Sequence, residues 1–184
     1  MKYTALFRGI NVGGKNIVKM AELKQLLSDM GLHKVNTYIQ SGNAVFESDL
    51  EETALQDAIH AAFYNKFGFQ SDVMIRSVDE LQYLIEQIPF TPLDISEAEA
   101  SDPQVEHLYV YFLNNAPKQA KIDLIGNEYV GPDKLGTGKK EIYFLCHESI
   151  RKTKLAARLS KTFDTATVRN WKTVNKLYEM LMNL

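Results

Sequence analysis

Two sixteen-residue stretches constrain this chain more than anything else in it. VMIRSVDELQYLIEQI, residues 73–88, lies over ATVRNWKTVNKLYEML, residues 166–181, at an offset of 93. Arg76 falls on Arg169, Leu84 on Leu177 and Glu86 on Glu179, and apolar positions fall on apolar ones. In each stretch a short apolar run gives way to a period near 3.6, the pattern of a strand entering a helix. Any fold for the chain has to accommodate that unit twice, and an internal duplication is expected.

The order of elements agrees. YTALFRGI reads as a strand, and Leu23, Leu26, Leu27 and Met30 mark an amphipathic helix stopped by Gly31. VNTYIQ and NAVFES are strand-like runs around Ser41-Gly42, which predicts a hairpin. Ser48 and Glu51 fit a capping box ahead of a helix with Leu55, Ile59, Ala62 and Phe63 on one face and Gly68 near its end. DVMIRS is a strand, and Ser77 and Glu80 cap the next helix, which Pro89 closes.

The first half therefore runs βαββαβ and then a helix, the split arrangement of ferredoxin-like domains. PFTPLDISEAEASDPQVE, rich in proline and acid, reads as an exposed linker. The second half repeats the order. HLYVYFL is a strand, Pro117 starts a short helix, NEYVG and EIYFLC bracket a DKLGTGKK loop, SIRKTKLAARLSKTF is helical, TATV is a strand and a last helix follows. The expected fold class is α+β, two tandem ferredoxin-like halves over 1–88 and 106–184, joined by a linker over 89–105.

Hydrophobic residues make up 45% of the 184, too many for a disordered chain. No apolar run approaches the roughly 18–20 residues of a membrane helix. The start, MKYTALFRGI, is a poor signal peptide. A single cysteine, Cys146, forms no internal disulfide, which fits a cytoplasmic location. Net charge is −2, so no global nucleic-acid signature exists. Charge is nonetheless segregated: residues 79–106 hold eight acids and no base, and residues 151–184 hold eight bases and two acids. Such polarity steers an anionic ligand, marks two segments that attract each other, or reflects two solvated faces.

Chemistry-bearing residues concentrate in three places. FRGINVGGKN joins a strand to a helix and holds Arg8, Gly9, Asn11, Gly13, Gly14, Lys15 and Asn16. Glycines permit positive φ, and free N–H groups near a helix start make an anion nest. The spacing is neither a P-loop nor a dinucleotide fingerprint. The second place is Gln40, Ser41, Gly42 and Asn43, residues that hairpin chemistry alone also explains. The third is TVRNWKT, with Arg169, Asn170 as an N-cap, Trp171 and Lys172. An arginine beside a helix N-terminus is unfavourable unless an anion joins it. Trp171 suits either ring stacking or packing.

Arg151, Lys154, Arg158 and Lys161 form a stripe on one predicted helix face, which is solvated, binds phosphate or docks on the acidic 79–106 segment. Cys146 and His147 are neighbours at a strand end and would point to opposite faces, which makes them a poor nucleophile–base pair. Cys146 is expected to be buried and unreactive. No His, Cys or acid cluster has metal spacing, so no metal site and no catalytic residue is assigned, and no cofactor is named.

ALFRGINVGGKN, MAELKQLL, TYIQSGNAVFES, IPF and TVRNWKTVNKL, in this order, resemble the signature of the bacterial domain-of-unknown-function family 1697. The likeness runs from Thr4 to about Leu177. It implies a cytoplasmic bacterial protein with an α+β fold and no established activity. The family pattern runs through Arg8, Gly9, Asn11, Gly13, Gly14, Lys15, Gln40, Ser41, Gly42, Asn43, Arg169, Asn170 and Trp171. Members often carry proline before the position of Met20, where this chain has Lys19. They often have a proline- and glycine-containing stretch ahead of the basic helix, where this chain reads CHESIRKTKL; that departure argues against an anion loop there.

The leading functional expectation is binding of a phosphate-bearing ligand, a nucleotide-like small molecule or an RNA segment, at the loops of Arg8–Asn16 and Arg169–Trp171. The alternatives are an enzyme acting on such a ligand by electrostatic positioning, and a protein-interaction module that uses the charge polarity. No membrane partner is expected, and a monomer is the default oligomeric state.

Overall fold

A computed structural model describes all 184 residues. It is an α+β fold with two four-stranded antiparallel sheets and seven helices. The chain divides into two compact units, one of Met1–Tyr83 with Asn175–Leu184, the other of Leu84–Val174. This division differs from the expected 1–88, 89–105 and 106–184, because it falls inside two helices rather than at the proline-rich stretch.

The first unit is built from β1 (Lys2–Phe7), α1 (Met20–Asp29), β2 (His33–Tyr38), β3 (Asn43–Glu47), α2 (Glu52–Phe67) and β4 (Val73–Ser77). Helix α3 (Val78–Glu86) follows and runs across the division. The sheet order is β2-β3-β1-β4 with every neighbouring pair antiparallel. Alternate residues Tyr3, Ala5 and Phe7 of β1 enter one core with Leu23 and Leu27 of α1 and Leu55, Ile59 and Phe63 of α2. Those helical positions are the ones the apolar period predicts. Phe63 anchors the cluster, with ring centroids 5.3 Å from Phe7 and 4.7 Å from Phe67.

Helix ends follow local chemistry. Gly68 takes φ +75° and its N–H reaches Tyr64 O at 2.8 Å, closing α2. Ser77 and Glu80 form the expected reciprocal box at the start of α3: Ser77 N–H to Glu80 Oε2 at 2.9 Å and Glu80 N–H to Ser77 Oγ at 3.2 Å. Ser48 and Glu51 do not. Helix α2 begins at Glu52 with Glu51 at its N-cap, and Ser48 Oγ instead accepts the Leu50 N–H of the preceding turn.

The second unit carries α4 (Pro92–Ser101), β5 (Leu108–Phe112), α5 (Gln119–Asn127), β6 (Lys134–Thr137), β7 (Glu141–Leu145), α6 (Lys154–Thr162) and β8 (Thr167–Asn170), and then α7 (Trp171–Met182) runs across the division. Its sheet order is β6-β7-β5-β8, again antiparallel throughout. Tyr111, Ile142 and Phe144 pack with Leu155 and Leu159 of α6 and Ile122 and Ile125 of α5.

Four expectations shift here. The stretch read as a linker contains α4, which Thr91 and Asp94 nucleate through a reciprocal capping box with Pro92 in the first turn. The loop read as DKLGTGKK supplies β6 itself, and NEYVG is no strand; pairing of Leu135 with Phe144 and Gly136 with Tyr143 sets the register. The basic helix starts at Lys154, where Thr153 Oγ1 accepts the Ala156 N–H at 3.0 Å, so Arg151 lies in the preceding turn and outside the helical stripe. The last strand is TVRN rather than TATV.

Candidate functional site

The glycine stretch folds as a small hairpin. Gly13 and Gly14 have φ +58° and +75°, the two positive values of a type I′ turn. Lys15 N–H bonds Val12 O at 3.0 Å and Asn11 N–H bonds Asn16 O at 3.1 Å across it. A Cβ at either glycine would meet nothing within 4 Å, so backbone conformation, not crowding, requires glycine. The hairpin does not run directly into α1, which starts at Met20 with Lys19 as its N-cap. The expected pairing of glycine loop with a helix N-terminus is therefore absent.

Both asparagines of this loop hold it in shape. Asn11 and Asn16 themselves take positive φ, 54° and 52°, which asparagine tolerates. The Asn11 amide nitrogen donates to Val18 O at 2.9 Å and to Gln40 O at 2.8 Å, while its oxygen accepts the Val18 N–H at 2.8 Å. Asn16 Nδ2 donates to Gly9 O at 3.0 Å. Arg8 is tied to Asp72 through its backbone N–H, 2.9 Å from Asp72 O, and through its guanidinium, 3.3 Å from Oδ2.

The second motif comes to the first. Besides the Asn11–Gln40 bond, Phe7 N–H donates to Gly42 O at 2.8 Å. Gly42, at φ +74°, is buried, and a Cβ there would stand 2.7 Å from Ile10 Cδ1. Asn43 is buried and donates to Tyr38 O at 3.1 Å and Ser41 Oγ at 2.9 Å. Gln40 and Ser41 are exposed. Ile39 beside them has φ +47°, a strained value for a β-branched residue.

What remains available on this surface is specific. Lys15 is exposed and makes no ion pair, and the Gly13 and Gly14 amides make no hydrogen bond within the chain. No acid lies between Arg8 and Ala21.

The third motif lies in the second unit, and burial changes its reading. Arg169 is 7% exposed, and its Nη1 donates to Thr167 Oγ1 and Val168 O, both at 2.8 Å. Burial lowers its pKa to about 10, still cationic at neutral pH. Arg76 is likewise buried and donates to Ile75 O at 2.7 Å. Each arginine thus donates to a carbonyl of its own strand, and Arg169 also to a hydroxyl. Asn170 is the expected N-cap, its Oδ1 accepting the Thr173 N–H at 2.9 Å. Trp171 is half-buried and Lys172 exposed, and both line a cavity of about 350 Å³.

Sequence reasoning missed the partners around these residues. His107 is buried, with Nδ1 2.7 Å from Cys146 O and Nε2 2.8 Å from Asp102 O. His107 lines the Trp171 cavity, as do Glu99 and Glu106. Nothing in its spacing signalled this; only the fold of α4 brings it there. Cys146 is fully buried, and burial first, then the nearby Asp133 carboxylate, pushes its thiol up to about 12. No group of three or more His, Cys, Asp or Glu is placed to hold a metal ion, and no helix is long and apolar enough to cross a membrane.

Against known protein families, residues 1–143 match the model described as protein of unknown function (DUF1697). The chain belongs to this family. The matched stretch contains the glycine hairpin and the Gln40–Asn43 turn; Arg169–Lys172 lie beyond it. Among solved structures the chain is similar to the conserved bacterial protein SP0830 from Streptococcus pneumoniae, with 26% identity, a TM-score of 0.71 and 98% of each chain covered. No curated protein matches the chain. The family description and the neighbour's name give no activity.

Proposed function

We propose that the protein binds a phosphate-bearing ligand, a nucleotide or an RNA segment, at the tip of the glycine hairpin. One observation supports this above the rest: Lys15 stands unpaired beside the unbonded amides of Gly13 and Gly14, in a loop without acids. Phosphate oxygens accept from such donors, and the charged bond is the stronger kind. The hairpin is held in shape by Asn11, so little ordering accompanies binding. Arg8 contributes less, since Asp72 already answers its charge.

Titration of a labelled single-stranded RNA and of a mononucleotide tests the reading. Lys15→Glu should weaken binding about tenfold or more, and affinity should fall with added salt. If neither probe binds, or Lys15→Glu changes nothing, the proposal is wrong. A second reading, a protein-interaction module, is favoured by the exposed aliphatic side chains of Val12 and Ile17 on the same hairpin, 65% and 64% exposed. It predicts that Val12→Ser/Ile17→Ser abolishes capture of a partner while phosphate binding is untouched.

We also infer that the two units are copies of one ferredoxin-like βαββαβ unit in a bacterial cytoplasmic protein. The support is the shared strand order, second-third-first-fourth in each sheet, and the buried arginines at matching places in β4 and β8. A backbone superposition that fails to pair Arg76 with Arg169 would end that inference.

A further inference from the structure

We propose that the cavity beside Trp171 takes a small organic ammonium compound with an apolar body, independently of the phosphate site. The cavity lies wholly within the second unit, between α4, the start of β5 and the first turn of α7. At about 350 Å³ it is near the lower end of small-molecule sites, which run about 300–1,000 Å³, so its ligand is compact.

The chemistry of the lining selects the charge. Ile95, Val105 and Leu108 supply apolar wall, and Trp171 supplies the aromatic ring on which a cation is best held. Three charged side chains complete it: Glu99, Glu106 and Lys172. None of the three makes an ion pair or side-chain hydrogen bond, with each other or elsewhere. Two unanswered carboxylates against one ammonium leave these three side chains net negative, which disfavours phosphate and attracts an ammonium group. His107 adds no charge-selective donor to the cavity, because both its ring nitrogens are engaged by the Asp102 and Cys146 carbonyls. An ammonium donating to Glu99 and Glu106 makes charge-assisted bonds, and its carbon body covers the apolar wall.

Trp171 is the only tryptophan of the chain, so emission excited at the red edge, where the nine tyrosines do not absorb, comes from a ring that lines this cavity. Titration with phenethylammonium should change the emission saturably, while hydrocinnamate, of like shape and opposite charge, should not. The double variant Glu99→Gln/Glu106→Gln should weaken the response about tenfold or more. Both side chains are exposed, so its thermal midpoint should match the parent's. Lys15→Glu should leave the response intact, which separates this site from the hairpin. The proposal is overturned if phenethylammonium gives no saturable change, if hydrocinnamate binds equally, or if the double variant responds like the parent.

Discussion

The side-chain amide of Asn11 bonds the Gln40 carbonyl at 2.8 Å and so closes the glycine hairpin onto the β2–β3 turn. Two segments 29 residues apart are fixed by one nitrogen, which also donates to Val18 O. The hairpin's donors are available to a ligand because Asn11, not they, meets the surrounding carbonyls.

That relationship predicts the effect of Asn11→Ala. Three hydrogen bonds disappear, each worth about 0.5–1.5 kcal/mol net, so a loss of about 1.5–4.5 kcal/mol is expected in urea unfolding. RNA or nucleotide affinity should fall as well, although Asn11 itself touches no ligand. A variant of parental stability would show that the hairpin is held some other way.

Gly14 and Gly42 have nearly the same φ, 75° and 74°, and different surroundings. Gly14→Ala bears only the left-handed backbone penalty, about 1–2 kcal/mol. Gly42→Ala adds a collision with Ile10 Cδ1 at 2.7 Å and Phe7 Cβ at 2.9 Å, and overpacking adds about 1–3 kcal/mol. Denaturation of the two variants side by side should show Gly42→Ala clearly the less stable. Equal losses would mean that the β1 end yields freely.

Which parts of this were legible beforehand depended on whether the signal was local. Leu23 and Leu27, Leu55 and Ile59, and the Ser77–Glu80 box follow from spacing along one helix, and each stands where spacing puts it. Strand β6 does not: KLGT carries a glycine and reads as loop, and only pairing with β7 makes it a strand. Helix α4 was concealed by its prolines and acids, although Thr91-Pro92-Leu93-Asp94 is itself a helix start. For the site, glycine at positions 13 and 14 was readable as a demand for positive φ. The burial of Arg169 was not, because exposure is a property of the folded sheet and leaves no mark on the spacing of TVRN.

Cys146 gives a prediction on the alkaline side. Burial holds the thiol protonated up to about 12 in the fold, against 9.0 for the free group. A group whose folded pKa is raised contributes stability below its unfolded value and loses it as pH rises toward the folded value. Urea midpoints should therefore decline from about pH 9 upward, and Cys146→Ala should flatten that decline. A thiol reagent should label the native protein slowly and the unfolded protein fast. Fast native labelling would contradict the burial and reopen a nucleophilic role.

On the acid side the sensitive group is Asp94. Lys134 first, then the Thr91 backbone N–H and hydroxyl, hold its carboxyl down to about 2, against 3.8 when free. The same carboxylate closes the capping box of α4 and bridges to Lys134 of β6. Its folded pKa is lowered, so its contribution is present above pH 3.8 and fades as pH falls toward 2. Asp94→Asn keeps the shape and removes the charge, so the variant should lose helicity in α4 at neutral pH. Hydrogen exchange should show this as faster exchange at Ile95 N–H, which bonds Thr91 O at 3.2 Å. Below pH 2 parent and variant should converge, because protonation has by then done to the parent what the substitution did. Because α4 walls the Trp171 cavity through Ile95 and Glu99, the variant should also weaken the phenethylammonium response. Unchanged exchange at Ile95 would mean that α4 is held by its burial at Ala98 and not by its cap.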